Sequence, residues 1–205
     1  MPVKQITDII RRDSFVGSIG SVLGRRILEK TAKSRLKLFE KYLNGKKILD
    51  VGLGSGSMAH IISIKDFDVK GIDVTETSLY PELKPIIYDG ENIPSKDEKY
   101  DVGLLICVLH HCPKQLKVLE ETMRVSKRVI IIEDTYRSVF EKMMISARDS
   151  VGNFEFYPHE YRSTSGWQEI FKNKGWKVIH KKEWSSVAFY GMYGRQTLFV
   201  IEKDK

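Results

Sequence analysis

Ile48-Leu-Asp50-Val-Gly52-Leu-Gly54-Ser-Gly56-Ser-Met-Ala59 joins an apolar run to three alternating glycines and then to residues that favour a helix. Lys47 to Val51 has the continuous apolar character of a parallel strand buried on both faces. The glycines let the backbone turn tightly and come close to a ligand that a Cβ would exclude. The helix that follows offers its first N–H groups to an anionic ligand group. The dinucleotide fingerprint G-x-G-x-x-G requires a third glycine where this chain has Ser57.

Outward from this loop, strands and helices alternate. Met58 to Ile64 is expected as a helix and Val69 to Asp73 as a second strand. Ile86 to Tyr88 is a brief third strand, after Pro81 and Pro85 have blocked a long helix. Tyr100 to Val108 is a strongly apolar fourth strand, Pro113 opens an amphipathic helix, and Arg128 to Ile132 is a fifth strand. This alternation demands crossover helices on a mostly parallel sheet, so the fold class is α/β. Residues 136–163 lack strand alternation and are expected as a helical or loop insertion. Ser165 is expected to cap a helix that stops at Lys174-Gly175. Trp176 to His180 and Thr197 to Ile201 complete the sheet as an antiparallel return. Upstream, a helical pattern runs to Asn44-Gly45, with a flexible break expected around Ser14 to Gly24 because interior glycines cost ~1 kcal/mol each.

Asp-x-Gly-x-Gly-x-Gly at positions 50–56 resembles motif I of the class I S-adenosylmethionine (SAM)-dependent methyltransferases, and the later marks follow in the same order. Residues 45–135 carry the resemblance, 165–205 share its layout, and Leu109-His110-His111 resembles the ubiquinone-biosynthesis-type small-molecule subfamily. The resemblance implies a Rossmann-like sheet of seven strands with an antiparallel terminal strand and helices on both faces. It implies SAM as cofactor and S-adenosylhomocysteine as product. The implied cofactor residues are Asp50, Gly52, Leu53, Gly54 and Gly56 in the loop. Asp73, with Val74 beside it, ends strand two for the ribose hydroxyls. Asp89-Gly90 follows strand three for the adenine amine, and Cys107 lies on strand four. Physically, Asp73 can accept from vicinal hydroxyls, Asp89 from an amine, and Asp50 adds negative charge beneath the loop, which suits a cationic methyl donor. The domain then spans 45–205, and 1–44 forms a basic helical extension that folds over as a lid.

Composition narrows the class. With 205 residues, 41% hydrophobic and 30% charged, the chain suits one large domain rather than a disordered segment. No stretch approaches the ~20 apolar residues of a membrane span. Two cysteines, Cys107 and Cys112, make no disulfide framework, so a cytoplasmic location is expected. The net charge of +7 is unevenly spread: residues 1–47 carry twelve Lys/Arg against four Asp/Glu, and residues 48–113 five against eleven. The basic segment suits either an anionic partner or a solvated helix face.

Methyl transfer from a sulfonium needs alignment above all, and a general base only where the nucleophile arrives protonated. His110 and His111 sit where open α/β sheets bind ligands, beyond strand four, and either can take a proton near neutrality. The alternative is that one caps a helix and the other packs. No metal is expected, because Cys107, His110, His111 and Cys112 are too contiguous for zinc-ligand spacing. Glu133, Asp134 and Tyr136 end strand five, with surface or capping roles equally open. The acceptor pocket is expected from Tyr136, His159, Tyr161 and Arg162, with Phe154, Phe156, Tyr157, Phe189, Tyr190, Met192 and Tyr193 as loop aromatics, which suits an anionic, apolar or planar small molecule. RNA is the competing acceptor, approached through the basic N-terminal segment. A non-catalytic SAM-binding protein is the third reading.

Overall fold

The computed structural model describes residues 15–153, 159–187 and 193–204. Along the chain lie α1 (Phe15–Phe39), β1 (Lys47–Val51), α2 (Ser57–Ser63), β2 (Asp68–Asp73), β3 (Ile86–Ile87), β4 (Tyr100–Ile106) and α3 (Gln115–Val125). β5 (Ser126–Tyr136), α4 (Val139–Asn153), β6 (Arg162–Ser163), α5 (Thr164–Asn173), β7 (Trp176–Val187) and β8 (Tyr193–Lys203) follow. The sheet runs β3-β2-β1-β4-β5-β8-β7, with β1 to β5 parallel and β8 antiparallel to both neighbours. This is the Rossmann-like methyltransferase arrangement. The expected seven strands gain an eighth, because the two residues of β6 pair with the end of β5.

Alternation within the strands builds two cores. Ile48, Val102, Leu104, Ile130 and Ile132 pack with Ala32, Leu36 and Phe39 of α1 and Ala59, Ile61 and Ile62 of α2. Leu49, Val51, Leu105, Val129 and Ile131 face the other way, onto Val118, Leu119 and Met123 of α3 and Trp167 and Phe171 of α5. Burial on both faces explains why the strands carry unbroken apolar runs.

Several boundaries differ from the sequence expectation. α1 runs unbroken from Phe15, because a helix nucleated by the packed turns of Ala32 to Phe39 propagates through isolated glycines at modest cost. Residues 1–14 of the expected extension lie outside the described residues. α3 starts at Gln115, two residues beyond Pro113. β5 extends to Tyr136, since β8 as far as Thr135 and β6 at Thr135 and Tyr136 supply backbone partners that the polar residues after Ile132 gave no sign of. The α5 cap is Ser163 rather than Ser165: its Oγ accepts from the Gly166 N–H at 3.0 Å.

The carboxyl ends of β1 to β5 form one edge. Val51 is level with Ile72 and Leu105, Asp73 with Ile87, and Ile106 with Ile132. The glycine loop, both later acids and the two adjacent histidines leave the sheet here.

Candidate active site

The loop after β1 is tied to β2 by its backbone: the N–H groups of Gly52 and Leu53 both donate to the Ile72 carbonyl, at 2.9 and 3.1 Å. Gly52 has φ +73°, and a Cβ there would lie 2.2 Å from Val108 Cγ2. Gly54, at φ +52°, differs: a Cβ would find only the Gly52 carbonyl oxygen, 3.9 Å away. Its open side is a recess into which a ligand can press against bare backbone. Asp73 fixes that recess. One carboxylate oxygen accepts from the Gly54 N–H at 2.8 Å and the other from the Thr75 N–H at 3.2 Å. Each oxygen keeps a lone pair for a further donor.

Asp50 is buried beneath the loop, on the Ile48 face of β1. Burial pushes its carboxyl well above the ordinary range, the Asp73 charge adds to this, and a bond from the Ala59 N–H opposes it. Burial therefore works against the full negative charge expected at Asp50, because desolvation penalises the ionised form. Asp89 is exposed and ionises readily. It accepts from the Asn92 N–H, the Asn92 amide and the Glu91 N–H at 2.7, 2.8 and 2.8 Å, and these bonds hold its carboxyl at about 2. Gly90 turns the chain directly after it, at φ +81°.

β4 ends at Ile106, so Cys107 lies beyond the strand and not within it. Its φ of +56° is uncommon for a residue with a side chain. Its N–H donates to the Ile132 carbonyl at 2.6 Å, which swings the chain across the end of β5 into the 3-10 turn Leu109–His111. Glu133 receives that turn. One of its oxygens accepts from the N–H groups of Val108 and Leu109 at 2.9 and 2.7 Å, and the other lies 2.5 Å from His110 Nδ1. A carboxylate only accepts, so Nδ1 carries the proton and the basic nitrogen of neutral His110 is Nε2.

Rings cover this pair. Tyr161 stacks on His110 with centroids 5.2 Å apart, and His111 lies against it at 4.1 Å. His111 Nδ1 is 3.1 Å from His159 Nε2. The segment that brings these rings in is pinned by polar contacts: the Glu160 N–H donates to the His110 carbonyl, the Gln115 amide to the Glu160 carbonyl, and Arg162 Nε to Gln115 Oε1. His110 and Tyr161 are buried, whereas His111 is half-buried. Cys112 joins the two halves of the site. Burial pushes its thiol to about 12, and the charges of Glu133 and Asp73 add to the shift.

A family model described as a methyltransferase domain matches residues 49–129. An uncharacterised protein of Methanocaldococcus jannaschii is 30% identical over 154 residues, which is 72% of each chain. The demethylmenaquinone methyltransferase of Paenarthrobacter aurescens is 22% identical over 170 residues, 73% of this chain and 66% of that one. A solved SAM-dependent methyltransferase of Methanosarcina mazei overlays with a TM-score of 0.65 at 16% identity, over 81% of this chain and 96% of the other.

The chain belongs to the SAM-dependent methyltransferase family.

SAM is thus the methyl donor of this methyltransferase, and the residues present fit it. The open side of Gly54, the pinned Asp73 carboxylate and the ionised Asp89 share the edge where the donor of such a fold is held. Leu53 is buried against Gly71 and shapes the loop from below, whereas Val74, next to Asp73, is exposed. Of the expected acceptor residues, His159 and Tyr161 join the ring cluster. Arg162 is turned to Gln115 and Glu160 with its guanidinium 5.7 Å from the Trp167 ring. Tyr136 ends β5 under Lys142, 5.5 Å from its ring centre. Phe154, Phe156, Tyr157, Phe189, Tyr190 and Met192 lie outside the described residues, and Tyr193 belongs to β8 rather than a loop.

Sequence reasoning left four residues around the site unresolved or unnoticed. Glu133 and Asp134 are buried, not superficial; a carboxylate directly after four apolar strand residues was the available signal. Gln115 and Tyr80 gave none. The Tyr80 hydroxyl donates to Glu29 of α1 at 2.9 Å and its ring rests by Gly56, while Arg25 donates to the Leu79 carbonyl at 2.6 Å.

Proposed function

We propose that this methyltransferase acts on a small, planar acceptor whose nucleophilic atom arrives carrying a proton. The ring cluster at the ends of β4 and β5, pinned by Glu133 below and by residues 159–162 above, carries this reading. It forms a confined, ring-lined wall beside the donor edge, suited to a flat molecule. The similarity to a demethylmenaquinone methyltransferase points the same way.

In this reading Gly52, Leu53, Gly54 and Gly56 cradle the donor, Asp73 and Val74 hold its ribose side, Asp89 and Gly90 its adenine side, and Asp50 and Cys107 shape the floor. Bound SAM supplies an electrophilic methyl group on a sulfonium. The rings at the ends of β4 and β5 would orient the acceptor's nucleophilic atom toward that methyl group. His111, the half-buried ring, takes the acceptor's proton on Nε2 while its Nδ1–H donates to His159. His110 and the Glu133 carboxylate behind it favour the resulting positive charge. Tyr136, Tyr161 and Arg162 complete the acceptor side. Residues 45–205 form the catalytic domain, and the preceding segment, through Glu29–Tyr80 and Arg25–Leu79, braces the glycine loop as a cover.

The test is methyl transfer from labelled SAM into separate pools of phenols, quinols, amines and bulk RNA. Incorporation into a small phenol or quinol, lost in His111→Asn while S-adenosylhomocysteine binding persists, is the expected outcome. Incorporation into RNA alone would overturn the reading.

A further inference from the structure

Many cations among the described residues have a carboxylate partner: Lys46 pairs with Asp66, Lys65 with Glu40, Lys127 with Asp101, and Lys203 with Glu98. The outer face of α1 is different. Arg26, Lys30, Lys33 and Lys37 recur at intervals of four, three and four residues. At 3.6 residues per turn they fall within an arc of about 60° and form a row ~16 Å long. All four are exposed, and among the described residues none pairs with a carboxylate. Neighbours in the row stand at i,i+3 or i,i+4, where like charges repel. Ser34 and Glu29 flank the row on the same helix. Glu29, which accepts from Tyr80, brings one negative charge against four positive ones, so the face stays net cationic.

We propose that this face of α1 binds the phosphodiester backbone of a single nucleic-acid strand. A row of four regularly spaced cations suits consecutive phosphates better than one phosphate group. A lipid surface is disfavoured, because an interfacial helix sinks an apolar face into the bilayer. Here Ala32, Leu36 and Phe39 are buried in the core instead. The inference does not depend on the acceptor proposed above, since the row lies on α1 and not among the rings.

Fluorescence anisotropy with a labelled 20-mer oligoribonucleotide tests it, for the intact chain and for Arg26→Gln/Lys30→Gln/Lys33→Gln/Lys37→Gln. Four phosphate contacts predict a salt slope of about −2.8, so affinity falls roughly 50-fold between 50 and 200 mM KCl. The quadruple variant should bind at least tenfold more weakly with a shallower slope, yet bind S-adenosylhomocysteine and melt as the parent does. The charge-preserving triple variant Lys30→Arg/Lys33→Arg/Lys37→Arg should bind like the parent. An oligodeoxyribonucleotide of the same sequence separates a surface that reads ribose from one that reads only the backbone, and binding of either strand supports the proposal. Equal affinity of parent and Gln variant would overturn it. So would displacement by millimolar inorganic phosphate, or binding to phosphatidylserine vesicles without binding to either strand.

Discussion

Substituting Gly54→Ala separates ligand cradle from fold. The added methyl meets no atom closer than the Gly52 carbonyl oxygen at 3.9 Å, so its cost to the free protein is only that of holding alanine at φ +52°. That is about 1–2 kcal/mol, or roughly 2–8 °C of melting temperature in a chain of this size. The methyl does, however, occupy the side of the loop where the donor approaches. Calorimetric titration with S-adenosylhomocysteine should show at least a hundredfold loss of affinity. Gly52→Ala is the reverse case. Its methyl would lie 2.2 Å from Val108 Cγ2 at φ +73°, adding overpacking of about 1–3 kcal/mol to the same backbone strain, and so it should melt lower than Gly54→Ala. If Gly54→Ala bound the ligand as the parent does, or lost stability as heavily as Gly52→Ala, the open side of Gly54 would not be the cradle.

Glu133→Ala should destabilise by about 3–5 kcal/mol in urea unfolding, because it strands the Val108 and Leu109 N–H groups and His110 at a buried site. Glu133→Gln keeps an acceptor for those N–H groups, so it should lose under about 2 kcal/mol yet slow turnover of an identified acceptor about a hundredfold or more. Asp73→Asn should weaken S-adenosylhomocysteine binding by about tenfold to a hundredfold in the same calorimetry, through the loss of charge-assisted bonds. Asp101 accepts from the Lys46 and Lys47 N–H groups and from Lys127, which hold its carboxyl at about 2 in the folded chain. A depressed folded value contributes stability above the unfolded value near 4, and that stability is lost as pH falls through about 2. Unfolding at pH 5, 4, 3 and 2 should therefore show Asp101→Asn less stable than the parent by about 1–2 kcal/mol at pH 5, with the gap closing toward pH 2. Tyr80→Phe removes the bond to Glu29 at a cost of about 1 kcal/mol, and hydrogen exchange should rise in α1 and the glycine loop with little change elsewhere.

The order of elements was legible from residue pattern alone. β1 begins and ends where its apolar run does, Asp73 closes β2, and Asp89 follows β3, in the order the strand pattern implied. These are local matters, settled by periodicity of two or 3.6 and by backbone freedom at particular glycines. Tertiary contacts decided the rest. β5 reaches Tyr136 because β8 pairs with it as far as Thr135 and β6 pairs with Thr135 and Tyr136, and Ser163 rather than Ser165 caps α5 because Ser163 is drawn into that pairing.

The same division runs through the site. The sequence by itself determined the glycine loop, its two later acids and an adjacent pair of histidines beyond β4. Only the tertiary structure distinguished those histidines, burying His110 on Glu133 and leaving His111 beside His159, a residue 48 positions away. It also set burial against the charge expected of Asp50, because desolvation depends on what lies around a carboxyl in space and not on its neighbours in the chain.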